Sequence, residues 1–345
     1  MAILAWLTKT FFLTHLKSKS TSIAVLGGGS WGTALVKILT DNGHQVYWYI
    51  RDKSAIAHIQ STGYNPNYLT FAKLNLKYIK LSDDVKDVVN QSPNLLLAIP
   101  SAFIGPVLET IGDTLQTKTI LSAVKGIVPE TQLVVGEHLL HLQVPKKQIG
   151  VIGGPSHAEE VANEKRSYLT IAFSRGKTAT LWADRLDCHY IRTKASKDVI
   201  GIEYAAMLKN IYALAAGIAL GLEYGDNFNS VLISNAVREM KRFLRIVYGK
   251  KRNINHSAYL GDLLVTAFSS YSRNRNFGEW IGKGHSVKET QAILKMVAEG
   301  YYAAASAIKI NDGQTQIPII EAVHKILYQG GSPEEVFAQL SEELS

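Results

Sequence analysis

Short apolar runs alternate with amphipathic stretches through the first two hundred residues. Ser22–Leu26 (SIAVL) is a compact apolar run, residues 33–40 have helical spacing, and residues 44–50 (HQVYWYI) form a second strand pattern. Residues 94–99, 119–124 and 149–152 are continuous apolar runs of strand length, with 168–173 and 190–193 following. Runs that are apolar throughout, rather than alternating, mark strands covered on both faces, as in a parallel α/β sheet. Beyond about Ser196 the strand pattern stops. Residues 199–222 are a long helical run rich in Ala, Gly, Ile and Leu. A second long helix runs from the 224–227 loop to about Tyr248, with Arg238, Lys241, Arg242 and Arg245 on a solvated face. Further helices are predicted at 298–310 and 317–328. Ser332-Pro333-Glu334-Glu335 opens the last one, with Ser as N-cap, Pro at N1 and Glu closing a capping box.

The run at 199–222 is apolar enough to raise the question of a membrane span. Glu203, Lys209 and Asn210 argue against it, since a charge at mid-bilayer costs about 3 kcal/mol. The soluble reading is a central helix that carries Lys209 into the interior. Burial lowers a lysine's pKa and brings it toward the range useful for proton transfer. A lone lysine in a helix more often snorkels to the surface, so its neighbours must decide.

Gly27, Gly29 and Gly32 fit G-x-G-x-x-G, directly after the first strand and at the opening of a helix. In that setting the glycines permit a tight turn, and the helix N-terminus offers free N–H groups to a pyrophosphate. The predicted fold is therefore an N-terminal doubly wound Rossmann sheet over residues 21–195 and an all-helical substrate domain over residues 196–345. At the end of the second strand, where an acidic residue ordinarily meets the ribose hydroxyls, the chain reads Ile50-Arg51-Asp52. A cation there suits a 2′-phosphate, so NADP is permitted as well as NAD.

Composition narrows the partners. The 345 residues carry a formal charge of +8, which favours anionic ligands. No Lys/Arg cluster interleaved with aromatics points to nucleic acid, and phosphorylated small molecules are the simpler reading. The single cysteine, Cys188, excludes an intrachain disulfide and favours a reducing, cytoplasmic setting. Scattered histidines give no metal constellation. Residues 1–20 have no acidic side chain and mix Trp6, Phe11 and Phe12 with Lys9, Lys17 and Lys19. They read either as a weak amphipathic surface helix touching anionic lipid or as a plain extension.

Ligands of open α/β sheets bind beyond the carboxyl ends of the strands. Lys125 and Ser156 fall just past predicted strand ends, as does His157, which is read as structural. Ser272-Arg273-Asn274-Arg275-Asn276 is polar and basic without helical amphipathicity. Its Arg and Asn can grip a phosphate, or the segment is a solvated basic loop.

Taken in order, GGGSWGTAL, IPS, VKG, GGPSHAEEV, DVIGIE, LKN, GLEYGDN, LGDLLVT, SRNRNFG, VAEG and IPIIEAV resemble the NAD(P)-dependent glycerol-3-phosphate dehydrogenases, from Ile23 to about Gln329. The resemblance implies reversible hydride transfer between a nicotinamide and dihydroxyacetone phosphate, giving sn-glycerol 3-phosphate for phospholipid synthesis, and a homodimer. It makes Lys209 the proton-transfer group, with Lys125 and Asp262 holding and polarising the substrate. It adds Gly154, Ser156, Ser272, Arg273 and Asn274 as substrate contacts. Ser30, Trp31, Arg51, Lys125, Ala158, Arg273, Val297 and Glu299 match cofactor contacts. Two segments depart from the family pattern. Residues 229–236 lack the usual Thr-Arg-Gly, and residues 254–260 lack the glycines usual before Leu-Gly-Asp. A related two-domain hydroxy-acid dehydrogenase and a non-catalytic cofactor-binding relative are the rival readings.

Overall fold

The computed structural model describes residues 21–294 and 298–345. The surface-helix expectation for residues 1–20 and the cofactor contact expected of Val297 fall outside the described residues.

The apolar runs form strands and the amphipathic stretches the helices between them. β1 (Ser22–Leu26) leads through the glycine turn into α1 (Ser30–Asp41), then β2 (Gln45–Tyr49), α2 (Lys53–Thr62) and β3 (Ile79–Ser82). Next come α3 (Val85–Asn90), β4 (Asn94–Leu97), α4 (Ser101–Ile111) and β5 (Thr119–Ser122). A small hairpin of β6 (Ile127–Val128) and β7 (Leu133–Val134) precedes α5 (Val135–His141) and β8 (Ile149–Gly153). The sheet closes with α6 (Ala158–Ala162), β9 (Ser167–Phe173), α7 (Gly176–Leu186) and β10 (Ile191–Ser196).

The eight-stranded order is β10-β9-β8-β5-β4-β1-β2-β3, parallel except where β9 runs against β8. Alternate side chains feed two cores. Ile23, Val25, Val46, Trp48 and Leu96 pack with α1 and α7 on one face. Ala24, Leu26, Leu95 and Leu97 pack with α3 and α4 on the other. Burial on both faces explains why the strands read as unbroken apolar runs. The strand order reverses between β1 and β4, which places the crevice above Gly27–Gly32.

After β10 the described chain is helical: α8 (Val199–Gly221), α9 (Asp226–Val247), a wide π turn (Ser257–Gly261), α10 (Asp262–Phe268) and α11 (Arg273–Gly282). α12 (Val287–Leu294), α13 (Glu299–Asn311), α14 (Pro318–Gln329) and α15 (Pro333–Glu343) complete it. α8 is the one described helix long and apolar enough to cross a membrane, but it is buried inside the protein as a core helix. Glycines on both helices let α11 touch the backbone of α8. A Cβ at Gly217 would lie 2.0 Å from the Arg275 carbonyl oxygen, and one at Gly278 would lie 2.1 Å from that of Leu214.

Three local expectations change. β3 and the β6–β7 hairpin were not expected, because β3 is short and half-exposed and each hairpin strand, though largely buried, is only two residues long. The 272–276 segment is not a loop. Ser272 caps α11, its Oγ accepting from the Arg275 N–H at 3.3 Å, and Arg273 opens the helix. Ser332 does cap α15, yet its hydroxyl donates to Glu334 at 2.7 Å, so Glu335 contributes its N–H rather than a reciprocal side-chain bond.

Candidate active site

The glycine turn is built for close approach. Gly27 has φ +121°, and a Cβ there would lie 2.4 Å from the Ala98 carbonyl oxygen, so a side chain is excluded. Trp48 Nε1 donates to the Gly27 carbonyl at 2.9 Å, and Asn65 Nδ2 to that of Gly28 at 3.0 Å, which pins the loop from beneath. A Cβ at Gly32 would lie 2.1 Å from the Gly27 carbonyl oxygen, so the helix must start hard against the turn. Above Gly29 nothing lies within 4 Å of a Cβ position, which leaves room for a ligand. No side chain caps α1 and its first turn, including Ser30 and Trp31, holds no acidic residue. Open space, free N–H groups and the helix dipole together fit a pyrophosphate.

At the end of β2, Asp52 is already committed. Its carboxylate caps α2, accepting from the N–H groups of Ser54 at 2.9 Å and Ala55 at 3.3 Å. The Ser54 hydroxyl, with those N–H groups, holds Asp52 below the usual carboxylate range. Arg51 is exposed and makes no ion pair among the described residues. The edge where a ribose would lie therefore offers a cation and no free carboxylate.

On the opposite side of the crevice α8 presents Lys209, 4% exposed. Lys209 Nζ donates to Asp262 Oδ1, from the first residue of α10. The second oxygen, Asp262 Oδ2, accepts from the Gly154 N–H at 3.2 Å, which ties the pair to the end of β8. Gly154 has φ +113°, and a Cβ there would lie 2.5 Å from the Tyr168 carbonyl oxygen. Burial draws Lys209 down to about 7; Asp262 pulls it up and Lys125 pushes it further down. Such a lysine exchanges its proton near neutrality.

Lys125, just past β5, is half-buried, with its Nζ 5.5 Å from the centre of the Trp31 ring. Asn210 Nδ2 donates to the Lys125 carbonyl at 3.0 Å, so α8 fixes the loop carrying the second cation. Ser156 is buried and bonds the Gly154 carbonyl at 3.0 Å; Ala158 starts α6 and is buried beside it. Across the crevice, Ser272 and Asn274 are buried at the start of α11 while Arg273 is exposed. Asn274 Oδ1 accepts from the Gly300 N–H at 2.9 Å. Glu299, at the start of α13, accepts from the Ser101 N–H at 3.2 Å and from the Ser101 hydroxyl, bridging the helical half to the start of α4.

Lys125, Gly154, Lys209 and Asp262 thus meet, with Trp31 beside Lys125, while the remaining described candidates stand on the loops after β1, β2 and β8 and at the starts of α11 and α13. His157 Nε2 contacts the Val265 carbonyl at 3.3 Å, and burial lowers its pKa, in keeping with a structural, neutral imidazole. Four supporting residues were not assigned to the site from sequence: Asn65, Ser101, Asn210 and Thr266. Asn210, Ser101 and Thr266 stood inside the LKN, IPS and LGDLLVT motifs. The Thr266 hydroxyl bonds the Asp262 carbonyl one helical turn back, at 2.6 Å. Asn65 carried no local signal. Among the described residues no group of three or more His, Cys, Asp or Glu side chains is placed to hold a metal.

Two family models match the chain: the N-terminus of NAD-dependent glycerol-3-phosphate dehydrogenase over residues 22–179, and its C-terminus over residues 198–338. The chain is 36% identical to the NAD(P)+ glycerol-3-phosphate dehydrogenase of an Exiguobacterium species, over 92% of this chain and 94% of that protein. It is 34% identical to the protein of the same name from Bacillus subtilis, over 92% of this chain and 93% of that one. A solved glycerol-3-phosphate dehydrogenase from Coxiella burnetii has the same fold, with a TM-score of 0.85 and 28% identity over 93% of this chain and 98% of that one.

Proposed function

Since the chain belongs to the NAD-dependent glycerol-3-phosphate dehydrogenase family, we propose that its crevice interconverts dihydroxyacetone phosphate and sn-glycerol 3-phosphate, supplying the latter for phospholipid synthesis. The single observation that carries the reading is the buried Lys209–Asp262–Gly154 arrangement facing a dinucleotide turn. Residues 21–195 would bind the cofactor and residues 196–345 would complete the substrate site.

NAD(P)H, when bound, supplies the hydride and the chain supplies everything else. Gly27, Gly29, Ser30, Trp31 and Gly32 would hold the pyrophosphate, with Arg51 at the ribose edge and Lys125, Ala158, Arg273, Val297 and Glu299 completing the contacts. In ketone reduction Lys209 Nζ donates a proton to the carbonyl oxygen, and in alcohol oxidation it accepts one from the hydroxyl. Negative charge that develops on that oxygen falls between two cations, Lys209 and Lys125. Asp262 acts through Lys209, as a positioning residue that keeps the ammonium aimed. Gly154, Ser156, Ser272, Arg273 and Asn274 would bind the substrate, the arginine by charge-assisted hydrogen bonds to phosphate.

The reading extends to a cytoplasmic homodimer. One buried cysteine without a disulfide partner agrees with a reducing compartment. Surface contact with anionic lipid through residues 1–20 would show as co-sedimentation with vesicles that a chain truncated before Thr21 does not share. The activity itself is tested by following NADH or NADPH absorbance on adding dihydroxyacetone phosphate and, separately, dihydroxyacetone. Turnover that needs the phosphate is expected; equal turnover without it would count against this substrate.

A further inference from the structure

A cavity of about 330 Å³ opens on the other side of α8, between β10 and the segment that leads to the π turn. It gathers Lys194, Lys250, Lys251, Asn253, His256 and Ser257, none of which belongs to the crevice. Ile202, in its wall, sits two helical turns before Lys209, about 10 Å along the axis at 1.5 Å per residue.

The charge balance of this cavity is one-sided. Asp198 is the one carboxylate in its lining, and that group is fully engaged. It accepts from Arg252 Nε at 2.6 Å and Nη2 at 3.2 Å, from the Tyr259 hydroxyl at 2.6 Å, and from the Gly201 N–H at 3.3 Å. Arg252 turns its Nη1 onto the carbonyls of Leu244 and Tyr248, at 3.0 and 2.8 Å. Beyond that pair, Lys194 and Lys251 have no carboxylate partner among the described residues, while Lys250 adds its positive charge to the field at Asp198. Lys194 Nζ lies 3.4 Å from His256 Nδ1, so basic groups from two separate elements converge on one spot. The ammonium can only donate there, so the imidazole nitrogen accepts, and an anion entering the cavity would meet the charges of Lys194, Lys250 and Lys251 together. Ammonium groups, a serine hydroxyl and an asparagine amide are the donor set of a phosphate site, and the volume suits a small ligand.

The same segment is wired to the crevice twice. Tyr259 bonds Asp198, the N-cap residue of the helix that carries Lys209. Ser257–Gly261 forms the π turn that runs straight into Asp262, and such widened turns recur at functional sites. This wall is also where residues 254–260 depart from the family pattern. We propose that the cavity beside β10 binds a small phosphate-bearing anion, at a regulatory site separate from the crevice, and acts on the Asp262–Lys209 pair through the 249–261 segment.

The test uses the full chain and inorganic phosphate as the probe, with sodium chloride at matched ionic strength as the control. Hydrogen exchange is read separately over 249–261 and over 272–278, in the parent and in Lys194→Gln/Lys251→Gln, two exposed positions outside the crevice. Phosphate is expected to slow exchange over 249–261 at least fivefold in the parent. The midpoint of that effect should rise at least tenfold in the variant, while the response at 272–278 is the same in both. No slowing over 249–261, or equal slowing in the variant, overturns the site. Loss of anionic-vesicle binding in the variant, with no phosphate effect on exchange in the parent, overturns it in favour of a lipid-facing surface. Coupling to the crevice is read from kcat at saturating dihydroxyacetone phosphate, where competition at the substrate site is removed. Phosphate should change kcat in the parent and not in the variant, and an unresponsive kcat in the parent removes the coupling. The exchange measurement does not depend on the reaction assigned to the crevice.

Discussion

Lys209 and Asp262, 53 residues apart in the chain, form a buried ion pair at the junction of the sheet and the helical half. Its second carboxylate oxygen, on the Gly154 N–H, makes the pair a strut between α8 and the end of β8. Asp262→Asn keeps the shape and removes the charge. It should cut kcat by about 10²-fold, within the span attributed to a positioned proton-transfer group, while the Kd for NADH changes less than twofold. Fluorescence titration and initial rates separate the two effects. A KM change with kcat intact would instead make Asp262 a substrate contact.

Lys209 titrates near 7, and that sets the sign of the pH dependence. Ketone reduction needs its protonated form, so the rate should fall as pH rises through about 7. Alcohol oxidation needs the neutral form and should rise over the same interval. Lys125 lowers Lys209, so Lys125→Met should shift both inflections to higher pH. Rate profiles in both directions check this, and an inflection unmoved by Lys125→Met would separate the two lysines electrostatically.

Gly278 meets α8 backbone to backbone, so Gly278→Ala should destabilise the protein by about 3 kcal/mol, the upper part of the overpacking range. Gly249, with nothing within 4 Å of a Cβ position, is the control. Gly249→Ala should stay within about 0.5 kcal/mol. Urea denaturation of both variants decides it.

Among the described residues Arg51 has no ion-pair partner at the end of β2, while Asp52 caps α2. Removing a charge-assisted contact worth about 1.4 kcal/mol costs tenfold in affinity. Arg51→Ala should therefore raise the KM for NADPH about tenfold and that for NADH less than twofold. Equal changes for both would place the guanidinium away from a 2′-phosphate.

Glu239 is wholly buried, its carboxylate accepting from the N–H groups of Ile319 at 2.9 Å and Ile320 at 3.1 Å, and burial raises it to about 8. The folded state then holds a proton that the unfolded chain releases above about 4.5. The stabilisation it gives is complete below that pH and is lost as pH rises to about 8. The contribution of one such proton is about 1.4 kcal/mol per pH unit. Glu239→Gln should flatten the stability profile between pH 5 and 8 by that slope, as read by denaturation at several pH values.

Much of this architecture was legible because each signal was local. The run at Ser22–Leu26, the glycines behind it and the unbroken apolar strands all follow from burial on two faces of one sheet. α8 was legible as a core helix because its charges were few and placed mid-helix. β3 was missed because Lys80 points to solvent in a four-residue strand, and the β6–β7 hairpin because two-residue strands carry no periodicity. Ser272 reads as a loop residue until the helix it caps is seen. The meeting of Lys209 with Asp262, and of Asn65 with Gly28, depends on contacts distant in sequence. For the first pair the family resemblance supplied the residues, and for the second nothing did.

The central claim, that Lys209 transfers the proton, is tested most directly by Lys209→Met in a dihydroxyacetone phosphate-dependent NADH oxidation assay with cofactor binding measured in parallel. Loss of at least 10³-fold in kcat, within the range for general acid–base groups, with NADH binding within twofold of the parent, is the predicted result. Turnover within tenfold of the parent would contradict the assignment and pass the proton-transfer role to another group in the crevice.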